Sequence, residues 1–149
     1  MDQAEFHCKP FSELTSLELY DILQLRSAVF VVEQNCVYQD VDGFDLDAHH
    51  VYAQVAGQVV AYARLIAPGI KYPEASLGRV VSRGSVRGSG LGKQLMTTAL
   101  RYCDELWPAM GVTISAQAYL EKFYQQLGFT TRTEPYLEDD IPHIKMNRQ

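Results

Sequence analysis

The chain has 149 residues, a length that suits one compact domain with a single core, here residues 1–149. Hydrophobic residues make up 47% and charged residues 21%, the balance of an ordinary globular domain, and a net charge of −5 argues against general nucleic-acid binding, which needs a basic face. No uninterrupted apolar run reaches about 18 residues, so no membrane-spanning helix and no membrane partner are expected.

Residues 1–5 have neither the basic nor the apolar region of a signal peptide. Residues 4–9 read as a first strand, ended by Pro10. Thr15 followed by Glu18 has the form of a capping box and predicts a helix. Leu19, Ile22, Leu23, Arg26 and Phe30 fall near one face of that helix. Arg26 interrupts the face, and either snorkels at the rim or pairs with an acid, for which Glu33 is a candidate. Residues 29–36 are apolar without clean periodicity and end or kink the helix. Residues 38–47 form an acidic loop carrying Asp40, Asp42, Asp45 and Asp47. The EF-hand pattern is not met, which leaves a solvated loop or one lining a site for a cationic amine.

Residues 49–55 and 59–65 alternate on either side of Gly57-Gln58 and predict a β-hairpin. Residues 75–82 are nearly continuous in apolar character, as a central strand is. A helix from about 90 to 106 presents Leu91, Leu95, Ala99, Tyr102 and Leu106 inward and stops at Trp107-Pro108. A fifth strand over 112–116 and a shorter helix over 119–127 follow, the helix closed by Gly128 as a left-handed cap. A sixth strand begins at Phe129, 138–140 is an acidic turn, and 142–146 is a last edge strand. Cys8, Cys36 and Cys103 show neither a CxxC nor a zinc-like spacing. They read as reduced thiols of a cytoplasmic protein, and no metal is expected. The order implies a mixed α/β (α+β) fold. Its mostly antiparallel central sheet has six to seven strands flanked by about four helices, with one parallel step from strand four to strand five.

Between that fourth strand and the long helix lies Arg87-Gly88-Ser89-Gly90-Leu91-Gly92-Lys93. Glycine-rich turns that open a helix leave backbone amides unpartnered at the positive end of the helix dipole, which suits a phosphate. The Walker pattern fails because Gln94 follows Gly92-Lys93 and position 87 is Arg. The dinucleotide pattern fails because Lys93 stands where its third glycine belongs. Both failures weaken a third reading, a nucleotide-binding regulator.

Arg-x-x-Gly-x-Gly after a hydrophobic strand resembles the acyl-coenzyme A loop of the GNAT N-acetyltransferases, and Tyr124-x-x-x-Gly128-Phe129 resembles the family's downstream motif. Further pieces are similar to the ElaA-like branch, among them Val29-Phe30-Val31-Val32-Glu33-Gln34, Asp42-Gly43 and Ile141-Pro142-His143-Ile144. Asp140 departs from the branch, where Gly usually precedes Ile-Pro-His; Asp tolerates a left-handed turn better than most residues.

The resemblance implies acetyl transfer from acetyl-CoA to a primary amine, on a small molecule or a protein, in a ternary complex. Residues 87–92, including Gly88, Ser89, Gly90, Leu91 and Gly92, would hold pyrophosphate. Lys93 either reaches a phosphate or is solvated. Val80, Val81 and Ser82 would offer strand-edge groups to the pantetheine arm, with Ser115 and Gln117 near the cofactor. Tyr124 would be the general acid and Glu33 or His143 the base, unless water relays the proton. The carboxylate that some members carry on strand four has no counterpart here, Ser76 being at the corresponding place and Glu74 nearer the strand's start. The family often dimerises. A non-catalytic acyl-CoA sensor is the competing reading, because an intact loop establishes binding alone.

Overall fold

Thr15 and Glu18 close the capping box in both directions: the Glu18 amide donates to Thr15 Oγ1 at 3.1 Å, and the Thr15 amide donates to Glu18 Oε1 at 2.8 Å. The computed structural model describes residues 3–149, so the first two residues of the stretch read for a signal peptide lie outside it. Helix α1 spans Ser16–Arg26 and passes into a π-helical segment, Ser27–Glu33. Wider winding moves side chains off the 3.6-residue phase, which is why residues 29–36 carry no helical period.

The strands are β1 (Glu5–Pro10), β2 (His49–Val55), β3 (Gln58–Ile66), β4 (Ala75–Ser82), β5 (Val112–Gln117), β6 (Thr130–Thr131), β7 (Tyr136–Glu138) and β8 (Ile141–Arg148). They form one sheet in the order β1-β2-β3-β4-β5-β8-β6, with β7 also on β8. Every pairing is antiparallel except β4 with β5. Helix α2 (Leu91–Leu106) makes that crossover, and α3 (Glu121–Gln126) follows β5. The expected mixed, mostly antiparallel fold is the one formed.

Two details differ from the expectation. Asp139 and Asp140, at φ +51° and +62°, form a two-residue turn that folds Tyr136–Glu138 back as an additional strand. The last strand is also not an edge: β8 holds β5 on one side and β6 and β7 on the other. Its proline is tolerated because the β5 pairing stops at Gln117 opposite His143, one residue short of Pro142.

Both faces of the sheet are covered. On one, Leu91, Leu95, Met96, Ala99, Leu100 and Cys103 of α2 pack on the strands. Tyr102 is only partly buried and Leu106 is exposed, so Met96, Leu100 and Cys103 complete the inward face instead. On the other face, Ile22 and Leu25 of α1 pack on Tyr52, Val59, Tyr62 and Val81. Among the described residues, no helix is long and apolar enough to cross a membrane.

Candidate active site

The parallel pairing of β4 and β5 lasts for two residue pairs, Ala75 with Val112 and Ser76 with Thr113. Beyond them the strands diverge and leave a cleft of about 160 Å³ between Leu77–Val80 and Ile114–Gln117. A bulge in β4 accompanies the divergence. Tyr62 faces Val81 but Arg64 faces Gly78, so β4 carries one residue more than β3 over that interval. Arg79, at φ +51°, is at the bulge.

The ladder's phase fixes which backbone groups face the cleft. The Ala75 amide donates across to Gly111 O on the β5 side, whereas the Arg83 amide donates to Val60 O on the β3 side. Alternation from the two ends places Gly78 and Val81 toward β3, and both Arg79 and Val80 toward the cleft. Of the three strand-edge candidates, Val80 therefore faces the cleft. Val81 is turned to Tyr62, and its side chain packs under α1. The Ser82 carbonyl also points away from β3 but accepts from Arg87 Nε and Nη2 at 3.2 and 3.0 Å.

At the end of β4 the glycine loop is open. Gly88 and Gly90 adopt φ of +82° and +84°, and no atom lies within 4 Å of a Cβ built at Gly88, Gly90 or Gly92. Gly90 caps α2 with no side-chain bond, and the first helical bond runs from the Gln94 amide to Gly90 O. The amides of Gly88, Gly90, Leu91, Gly92 and Lys93 have no partner among the described residues, while the Ser89 amide is used by Val86 O. Buried Leu91 anchors the turn from beneath, and Lys93 is exposed beside it. An uncapped helix end beneath glycines that leave open space fits a diphosphate.

Arg87 points back to the other wall of the cleft's mouth. Its Nη1 and Nη2 donate to the two carboxylate oxygens of Glu33 at 2.9 and 2.7 Å. That fork holds the Glu33 carboxyl below the usual carboxylate range. Glu33 is exposed and does not line the cleft. It ties the end of the π-helical segment to the glycine loop, and Arg26 is not its partner.

Tyr124 and His143 both line the cleft. Gly128, at φ +95°, turns the chain after α3 so that the Phe129 amide bonds Tyr124 O at 3.1 Å. Phe129 then returns edge-on to the Tyr124 ring at 5.9 Å, which is the physical content of the Tyr-to-Gly-Phe spacing. Tyr124 is 6% exposed, burial pushes its phenol up to about 12, and its hydroxyl bonds none of the described residues. His143 Nδ1 lies 2.7 Å from Ile141 O, and a carbonyl only accepts, so Nδ1 carries the proton. The ring's other nitrogen, Nε2, lies 3.4 Å from Glu138 Oε2. Ser115 and Gln117 lie on the facing wall, and Ser115 Oγ bonds the Tyr136 hydroxyl at 2.6 Å and Glu138 Oε1 at 3.1 Å.

Three of the acidic loop's four aspartates are engaged within the fold rather than free to bind a cation, and Asp47 is exposed. Arg26, fully buried, donates to Asp40 at 2.9 Å and Asp45 at 2.7 Å; Arg64 donates to Asp42 and Asp45; Arg79 pairs with Asp40 and Asp42. Three guanidiniums thus balance three carboxylates. His50 fixes the loop further, its Nε2 donating to Asp45 O at 2.9 Å and its Nδ1 accepting from the Tyr62 hydroxyl at 2.6 Å. Both ring nitrogens are engaged, so His50 is structural. Among the described residues no group of three or more His, Cys, Asp or Glu side chains is placed to hold a metal.

Sequence reasoning missed Arg79, Glu138 and Tyr136 as parts of the site. For Arg79 the signal was absent, because it sits inside an apolar strand. For the other two it was the two-aspartate turn, which implies a hairpin and so a strand facing His143.

The family described as Acetyltransferase (GNAT) domain matches residues 18–149. Protein ElaA of Escherichia coli (strain K12) is 47% identical over 140 residues, 93% of this chain and 92% of that protein. The crystal structure of an acyl-CoA N-acyltransferase from Pseudomonas aeruginosa superposes with a TM-score of 0.95 at 50% identity, covering 99% of this chain and 100% of that one. That of E. coli ElaA superposes at 0.93 and 44% identity, with the same coverage. A match across most of the chain, on the fold and motifs described, makes this protein a member of the GNAT acetyltransferase family, on its ElaA-like branch.

Proposed function

We propose that the protein is an N-acetyltransferase that moves an acetyl group from acetyl-CoA to a primary amine held in the β4–β5 cleft. The observation that carries this reading is the cleft itself, open beyond two residue pairs and leading to an uncapped helix end. The free amides of residues 88 and 90–93 would hold the pyrophosphate, and the Val80 edge of β4 would take the pantetheine arm as an added strand. When bound, the coenzyme supplies an activated thioester carbonyl.

This chain's residues supply the proton handling. Tyr124, protonated throughout the neutral range, donates to the leaving sulfur. His143 takes the proton from the acceptor at Nε2, and Glu138 stabilises the imidazolium that results. Glu33 is less suited to that task, because Arg87 lowers its basicity and it stands outside the cleft lining. Its role is to position Arg87 and through it the loop. The Tyr124→Phe variant tests the assignment. Its kcat should fall by roughly 10²–10⁴-fold while calorimetry with coenzyme A finds the affinity kept. A wild-type protein that binds coenzyme A yet releases no thiol with any amine would make it a sensor instead.

A further inference from the structure

The cleft does not end at His143. A smaller chamber of about 70 Å³ adjoins it through Leu77, Gly78, Arg79, Ser115 and Glu138, which line both. Its outer wall is Lys71 and Tyr72, and its inner wall includes Arg64. Given the transferase reading above, on which this inference rests, the chamber is where the remainder of the acceptor would lie once its amine is beside Glu138 and His143.

The charges of the two chambers are specific. Arg26, Arg64 and Arg79 are balanced by Asp40, Asp42 and Asp45. Lys71 is left over: it has no carboxylate partner among the described residues, its ammonium lying 5.1 Å over the Phe44 ring. Although the residue is exposed, local desolvation and the neighbouring Arg64 and Arg79 charges lower its pKa, with Asp42 and Glu138 only partly opposing them. Arg64 is 1% exposed, and its buried Nε has no partner among the described residues. A buried donor without an acceptor is costly. Outside the hexad, Glu138 and Asp139 are the carboxylates that line the cleft, and of the two only Glu138 also lines the smaller chamber. The smaller chamber thus presents one unbalanced cation, Lys71, and one unbalanced anion, Glu138.

We propose that the acceptor is an amine that also bears a carboxylate, an amino-acid-type zwitterion, with Lys71 anchoring the carboxylate in the second chamber and Glu138 receiving the ammonium group. One surplus positive charge calls for a monoanion rather than a phosphate. This selects against the polyamines and simple cationic amines that the acidic loop invites when read from sequence, because Asp40, Asp42 and Asp45 of that loop are already neutralised.

The test uses the full chain with acetyl-CoA and matched acceptor sets: free amino acids, their carboxamides and the corresponding decarboxylated amines, followed by thiol release. The acids should exceed their carboxamides in kcat/KM by tenfold or more, largely through KM. In Lys71→Met that acid-to-amide ratio should fall at least tenfold, and Lys71→Arg should restore most of it. Equal turnover of acids and amides, or a ratio that Lys71→Met leaves in place, overturns the proposal. If no acceptor turns over, NMR titration of the same acid and amide pairs decides it. Carboxylate-selective shifts at residues 64–79 that vanish in Lys71→Met support the anchor, and their absence overturns it. Calorimetry with coenzyme A reads the loop separately, so loss of cofactor binding would sink the transferase reading without touching the carboxylate site.

Discussion

Gly92 has helical backbone angles and open space where a Cβ would stand, so the fold itself does not demand glycine there. Alanine should raise stability by about 0.5–1 kcal/mol, as it does in a helix, while obstructing the approach of a diphosphate. Urea unfolding and coenzyme A titration of Gly92→Ala should therefore move in opposite directions. Gly90→Ala is the contrast, because its φ of +84° puts roughly 1–2 kcal/mol of strain on any side chain. A Gly92→Ala protein that gained stability and kept full affinity would remove the loop from the binding site. Asp45 is a different kind of residue, 5% exposed and shared between Arg26 and Arg64. Truncating it to Ala leaves two buried guanidiniums short of charge, a change worth about 3–5 kcal/mol on breaking a buried pair. Denaturant unfolding of Asp45→Ala that cost under about 1 kcal/mol would show the hexad to be dispensable. Residues of the first kind are legible in sequence because their signal is local spacing. Asp45 is not, since its partners lie 19 positions away in either direction and a run of aspartates looks the same solvated or buried.

At the scale of elements, the cap of α1 joins three pieces of the fold. Glu18 accepts from the Thr15 amide, from Lys9 of β1 at 3.0 Å and from the Tyr52 hydroxyl of β2 at 2.6 Å. Partial burial opposes its ionisation, but these donors outweigh it and bring the carboxyl down to about 2. A carboxyl depressed on folding leaves the unfolded chain binding more protons between the two values, so stability rises with pH there. The contribution is fully present above pH 4.5 and is lost as the pH falls toward 2. Glu18→Gln should flatten that acid limb in a pH series of urea midpoints, and an unchanged limb would assign acid unfolding to other groups. The same contrast governs which elements could be read. The capping box, the long amphipathic helix and the β2–β3 hairpin are written in spacings of two to four residues. The π-helical segment and β7 are not: the first breaks the helical period, and the second is three residues long and pairs only with the strand it folds onto.

For the whole molecule, the consequential feature is one surplus residue in β4. Residues 75–82 read as an unbroken central strand and do form one, yet the bulge at Arg79 and the loss of pairing after Ser76 turn its second half into a cleft wall. Nothing in the apolar run marks that point, because a bulge is a property of two strands in register and sequence shows one at a time. The strand's continuity and the cleft's openness together make a prediction about linkage. A ligand that bridges the open edge and the free amides of α2 binds the folded chain alone, adding about 2.7 kcal/mol at a hundred times its Kd. For a domain of this size that raises the Tm by roughly 5–10 °C. Hydrogen exchange with coenzyme A should concentrate its protection at the amides of Gly88, Gly90, Leu91, Gly92 and Val80, and leave β1 and the outer face of α1 as they were. A Tm shift accompanied by protection spread evenly over the sheet, with residues 88–93 exchanging as fast as before, would mean that the ligand holds the fold from somewhere other than the β4–β5 cleft.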